Sequence, residues 1–219
     1  WALAELDRDF PLDLQTWPSL EAQVAALSDD IAYDNHDIDD GLRAGFLGLD
    51  ELLGLDFVAD QWRAIEAKFP GAPQERRLRE LVRSQIGLMV NDLIAETRRR
   101  AEGLDSADAV RRAGRAIAGF SPEMAAHERR LKAFMYEKLY HHPQQLHTAE
   151  RARAVTAELY AALVQDPTLM EEGWLARLPA EEPGRSRHVA DYIAGMTDRF
   201  AIALHSRIYG RTHEGLSNV

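Results

Sequence analysis

Trp17-Pro18-Ser19-Leu20-Glu21-Ala22-Gln23-Val24-Ala25-Ala26-Leu27-Ser28-Asp29-Asp30-Ile31-Ala32-Tyr33-Asp34-Asn35-His36-Asp37-Ile38-Asp39-Asp40-Gly41 has the periodicity of one long helix, and six aspartates fall between Ser28 and Gly41. Leu20, Val24, Leu27 and Ile31 recur at helical spacing and give the stripe that docks such a helix on a core. Ser19 stands at the N-cap position, and Pro18 cannot continue an earlier turn. Gly41, Gly45 and Gly48 are expected to break the helix into a short helix and a turn. Opposite the stripe lie Ala22, Ala25, Ala26, Asp29 and Tyr33, a side that is small or apolar, so the helix is predicted to be buried on both sides. Asp29, Tyr33 and Asp37 follow at i, i+4 and i+8 and line one slowly winding ridge of two carboxylates and a phenol. A carboxylate buried among alanines requires a cation, a metal or hydrogen-bond donors to stay charged.

Simpler readings compete. Acidic runs near helix ends are most often solvated caps, and Asp39 and Asp40 fit that description. A calcium loop fails on spacing: with Gly41 at the sixth position, His36 and Ile38 occupy places that need oxygen ligands. His36-Asp37 has the form of a metal-binding His-Asp dipeptide, but that motif needs a histidine well upstream, and none precedes His36.

Outward from this stretch the chain stays helical. Val58, Trp62, Ile65 and Phe69 mark a helix ended by Pro70-Gly71. Leu78, Val82, Ile86, Met89 and Leu93 keep one stripe from Gln74 to about Arg100, which predicts the longest helix. Arg76, Arg79 and Arg83 sit along it, and forked guanidinium donors suit polyphosphate as well as surface ion pairs. Arg98, Arg99 and Arg100 fit a solvated helix C-terminus, and Arg129, Arg130 and Lys132 a solvated face. Residues 103–119 lack a sustained stripe and read as a helix-containing connection. Ser121-Pro122-Glu123 is a helix start. His141, His142 and His147 contain no i, i+4 pair and make a poor metal site. Val189, Ile193, Met196, Phe200 and Leu204 predict one last helix stopped at Gly210, with Tyr192, Gly195 and Arg199 on a second face. No convincing strand pair occurs. The fold class is all-α, with residues 1–219 read as a single helical domain.

Composition narrows the function. The 219 residues, 46% hydrophobic and 28% charged, are ordinary for a globular protein with a sizeable core. No apolar run reaches membrane-spanning length. The absence of cysteine leaves any metal to histidine and carboxylate, and fits a cytoplasmic location. A net charge of −10 argues against broad nucleic-acid binding.

Trp17 to Tyr33, continuing through His36-Asp37-Ile38-Asp39-Asp40-Gly41-Leu42-Arg43-Ala44-Gly45, resembles the deoxynucleoside triphosphate triphosphohydrolases of the HD-domain superfamily. Asp191-Tyr192-Ile193-Ala194-Gly195-Met196-Thr197-Asp198-Arg199-Phe200-Ala201 resembles the C-terminal helix of the same family, in the same order. The resemblance runs from about Phe10 to Gly210. It implies a multi-helix HD-domain-like bundle that hydrolyses a dNTP to the deoxynucleoside and triphosphate, with a divalent metal held by a His, a His-Asp pair and an Asp. Carried over by position, Asp29 is the last metal ligand, Tyr33 packs against the deoxyribose, and Asp37 accepts from the 3′-hydroxyl. The family diverges around Gln74 to Arg83, where Arg79 and Arg83 are the candidates for phosphate. Homo-oligomers are also implied. The upstream His and His-Asp are absent from this sequence, so it reads as the C-terminal portion of such an enzyme, inactive by itself. Two other classes stand beside this one. A four-helix di-metal protein wants Glu-x-x-His repeats, and Glu123-x-x-x-His127 has the wrong spacing. A non-catalytic helical regulatory or interaction module with an HD-type shell remains open.

Overall fold

The computed structural model describes residues 2–211, and among them helix is the dominant structure and no strand occurs. The chain groups into two compact units, Trp1–Leu139 and Tyr140–Val219.

The first unit opens with α1 (Ala2–Asp9), followed by α2 (Leu20–Arg43), the single turn α3 (Leu49–Leu52), α4 (Asp56–Lys68), α5 (Gln74–Ala101), the short α6 (Ala107–Arg111) and α7 (Pro122–Met135). The helix starts follow the sequence signals. Ser19 Oγ accepts from the Ala22 amide at 3.3 Å, and Ser121 Oγ from the Met124 amide at 3.2 Å.

Gly41 does not break α2 as expected. It lies inside the helix, buried, and a Cβ there would come within 2.7 Å of Leu47 Cδ1. The chain folds back over it, with the Phe46 and Leu47 amides donating to the Gly41 carbonyl at 2.9 and 3.0 Å. The turn itself is made at Gly45, whose φ of 73° suits glycine. Gly48 stands at the N-cap of α3.

Two apolar clusters hold this unit together. Ile31, Met89, Leu93, Phe120 and Met124 form one. Ile38, Leu52, Trp62, Leu81, Leu131 and Met135 belong to the other. Ile31 shares a cluster with Met89 and Leu93 whereas Ile38 shares one with Leu81, so α2 and α5 run antiparallel. Arg77 clips α4 to α5: it pairs with Glu66 at 2.8 Å, donates to the Ala72 carbonyl at 3.0 Å and lies over the Trp62 ring.

The connection before α7 is pinned by side chains. Gln23 Oε1 accepts from the Ile117 and Ala118 amides at 2.8 and 3.1 Å. Arg100 donates to the Phe120 carbonyl at 2.6 Å and to Glu96 at 2.8 Å, and Arg99 also pairs with Glu96. Arg99, 68% exposed, keeps to the solvated helix end expected from sequence, whereas Arg100, 27% exposed, does not. Glu96 is buried and draws both of them, and their hydrogen bonds hold its carboxyl down at about 2.

The second unit contains α8 (Pro143–Gln165), the 3₁₀ turn Pro167–Leu169, the single turn α9 (Glu172–Leu175), α10 (Gly184–Ala194) and α11 (Asp198–Tyr209). Val155, Leu159, Leu163, Met170, Val189, Tyr192 and Leu204 make its core. The expected single last helix is two helices. Gly195 closes α10, and Thr197 Oγ1 starts α11 by accepting from the Phe200 amide at 3.3 Å. Hence Tyr192, Gly195 and Arg199 do not share a helix face: Tyr192 is buried and accepts from the Glu171 amide, while Gly195 is exposed. Gly210, at φ 65°, stops α11 as expected.

Candidate functional site

The buried face of α2 passes through Ile31, Asp34, Asn35, Ile38 and Gly41. The opposite side is open. Ala22, Ala25, Ala26, Asp29 and Asp30 are exposed, and Tyr33 is 62% exposed. Burial of both sides, expected from the alanines, is not what the structure shows: alanine is small enough for either environment, and α2 docks through the face that carries Leu27, Ile31 and Ile38. Four residues turn a helix by about 400°, so each step from Asp29 to Tyr33 to Asp37 drifts about 40° toward the docked face. Asp37 is accordingly half-buried where Asp29 is exposed. The ridge spans about 12 Å along the axis, and its three side chains share one flank of one rigid element.

Arg79 and Arg83 are not brought to that ridge. Both are exposed on α5; Arg79 donates to Glu75 at 2.8 Å, and Arg83 holds Glu80 with two bonds of 2.9 and 2.8 Å. Asn35 of α2 meets Met89 of α5, so in the antiparallel pairing Asp29 lies on the far side of Met89 from Arg83 and Arg79, which are themselves about 9 and 15 Å along the axis from Met89. The cation that does reach the turn of Asp29 comes from α7. Lys132 Nζ lies 3.5 Å from Asp30 Oδ1 and 2.5 Å from Glu128 Oε1. The solvated-face reading holds for Lys132 in part, since its side chain is 41% exposed and balances Glu128, but its reach across to Asp30 was not foreseen.

Asp34 is a second residue the sequence reading passed over. It sits one turn after Ile31 and one before Ile38, in the stripe itself, and is 5% exposed, with no hydrogen-bond partner for Oδ2 among the described residues. Burial pushes its pKa up to about 6; Lys132 pulls it down, and Glu128, Asp30 and Asp37 push it up further. Lys132 feels burial as a penalty on its charge, but its bond to Glu128 and the charges of Asp34, Glu128 and Asp30 outweigh this and raise its pKa. Asn35, fully buried beside Asp34, donates to the Ile31 carbonyl at 2.7 Å and approaches Met89 Sδ at 3.5 Å.

As a metal site the described residues are incomplete. Among the described residues no three His, Asp or Glu side chains come together in a way that would hold an ion. His36 is exposed, and His142 serves as the cap of α8, its Nδ1 accepting from the Gln144 amide at 3.4 Å. No helix among the described residues is long and apolar enough to cross a membrane.

Comparison with known proteins bears on this geometry. Residues 118–207 match the phosphohydrolase-associated domain. A deoxyguanosinetriphosphate triphosphohydrolase-like protein of Rhizobium meliloti is 43% identical over 205 residues, covering 92% of this chain and 51% of that protein. Proteins of the same description from Caulobacter vibrioides and Parvibaculum lavamentivorans are each 42% identical, over 211 and 214 residues, covering 95% of this chain and 54% and 53% of theirs. The chain spans about half the length of the curated relatives it matches. Over most of its length it is thus homologous to the deoxyguanosinetriphosphate triphosphohydrolase-like proteins, with a phosphohydrolase-associated domain at residues 118–207.

Proposed function

We propose that this chain provides the sugar-facing side of a dNTP triphosphohydrolase site, with dGTP-like substrates cleaved to deoxynucleoside and triphosphate. The observation that carries the reading is the open ridge of Asp29, Tyr33 and Asp37 on one flank of α2, in a chain whose relatives are named for that reaction. The Tyr33 ring packs against the deoxyribose and fills the space a 2′-hydroxyl would need. Asp37 accepts a hydrogen bond from the 3′-hydroxyl, and its partial burial holds it to one orientation. Asp29 offers one carboxylate to a divalent metal such as Mg or Mn. One carboxylate is a weak metal site, so the described residues do not fit that ion by themselves, and the remaining ligands would have to come from elsewhere. Arg79 or Arg83 would meet the phosphates only after leaving Glu75 or Glu80.

The incomplete ligand set favours one other reading, a helical regulatory or interaction module that keeps the shell without the chemistry. Triphosphate release by the intact gene product separates the two. Within the enzyme reading, Tyr33→Ala should narrow the preference for dNTP over the matching NTP by about tenfold, the factor that ~1.4 kcal/mol of lost discrimination represents. An unchanged dNTP/NTP ratio of kcat/KM in an active Tyr33→Ala variant would remove Tyr33 from the sugar.

A further inference from the structure

We propose that the second unit carries a binding site for a small organic cation of the quaternary-ammonium class, in the cleft where α9, α10 and the start of α11 meet. The cleft is built from residues of that unit alone and does not depend on the hydrolase reading. Trp174, Tyr192 and Phe200 line it together with Met196, and its volume is about 270 Å³. Pockets for drug-sized ligands run from roughly 300 to 1,000 Å³, so this one suits a smaller molecule. The Trp174 and Tyr192 rings stand at 52° with their centroids 5.3 Å apart, and they form a corner rather than a stack. Phe200, in the first turn of α11 and 37% exposed, supplies the third ring. The break between α10 and α11 brings it there: on one continuous helix Tyr192 and Phe200 would lie about 12 Å apart along the axis.

Ring faces carry partial negative charge and attract cations. Among the described residues that line the cleft Glu171 alone is charged, and its amide donates to the Tyr192 hydroxyl at 3.4 Å. Burial and the nearby Glu171 carboxylate push the Tyr192 phenol pKa up. The Trp174 indole already carries one cation, the Arg177 guanidinium at 5.2 Å from its centroid, and Arg177 is not among the lining side chains. A primary ammonium would need three acceptors. Here the Tyr192 hydroxyl and Thr197 Oγ1 already accept from the Glu171 and Phe200 amides, which leaves the Glu171 carboxylate. A quaternary ammonium needs no hydrogen bonds, only ring faces and a countercharge.

The test titrates choline into the 219-residue chain at about 0.15 M salt, beside dimethylbutanol, the uncharged analogue with a tert-butyl group in place of trimethylammonium. NMR signals of the Trp174 indole N–H and the Gly195 amide report binding. Saturable shifts are expected, with choline at least ~fivefold tighter than the alcohol, the factor that about one cation–π contact supplies. Phe200→Ala and Glu171→Gln should each weaken choline by at least ~threefold, and Glu171→Gln should leave the alcohol unchanged. Trp174→Ala should remove choline binding; the ring also packs on the core of the unit, so if that variant fails to fold, the two changes at exposed positions decide. Equal affinity for choline and the alcohol, choline binding unchanged in both Phe200→Ala and Glu171→Gln, or no saturable shift up to ~50 mM choline overturns the proposal.

Discussion

Asp34 is the residue at which α2 carries its largest electrostatic cost. A carboxyl that ionises near 3.9 in an unfolded chain and at about 6 here binds its proton more tightly in the folded state. Stability therefore falls as pH rises from about 4 to about 6, and stays lowered above that window. The shift corresponds to roughly 2–3 kcal/mol. Asp34→Asn removes the ionisation and keeps the shape, so it should stabilise the chain by about 1–3 kcal/mol at pH near 8 and by little near pH 4. Urea unfolding at the two pH values measures this; a variant less stable than the parent at the higher pH contradicts it. Asp34 was legible in the sequence only as a break in a stripe, since Ile31 and Ile38 straddle it. An aspartate run that looks like a solvated cap conceals the one member that faces inward, because identity does not report rotation about the axis. Asp29 was misread in the opposite direction. Its alanine neighbours are compatible with burial but do not require it.

Among the elements, α8 and α11 show how a helix pair is locked by one carboxylate. Glu158 meets the fully buried His205 at 2.5 Å, Arg211 at 2.5 and 2.6 Å, and through its carbonyl the Tyr209 hydroxyl at 3.0 Å. The Tyr209 ring stacks on His205. Arg211 first and then His205 hold the Glu158 carboxyl down at about 2. A depressed acid contributes stability above its unfolded pKa and loses it as pH falls through the folded one. Glu158→Gln should therefore lower Tm at neutral pH, and the difference from the parent should shrink as pH falls from about 4.5 toward 2. A Tm gap that is constant over that range contradicts the prediction. Helix existence was readable throughout, from the 3.6-residue stripes and from Ser19, Ser121 and Gly210 as stop and start signals. The break at Thr197 was not, because Val189, Ile193, Met196, Phe200 and Leu204 keep phase across it. A threonine capping a new helix leaves that periodicity almost intact.

For the whole molecule, the sequence stripes were enough for the all-α class because every stripe has a partner within its own unit. They were less informative about the site, whose ridge faces outward and whose metal would need ligands beyond Asp29. The relatives, about twice the length of this chain, make the intact gene product the right material for the decisive assay. The central claim is that the outward flank of α2, in the phase set by Asp29, Tyr33 and Asp37, is the working surface. Asp30 lies about 100° round the helix from Asp29. The most direct test is triphosphate release from dGTP by the gene product, with added divalent metal, for the parent, Asp29→Asn and Asp30→Asn. The account predicts metal-dependent release by the parent, loss of at least ~100-fold in Asp29→Asn with the helical fold retained, and most of the activity kept in Asp30→Asn, where Glu128 still holds Lys132. An active Asp29→Asn beside a dead Asp30→Asn would put the working surface one residue out of phase, and Tyr33 and Asp37 would lose their assigned roles with it.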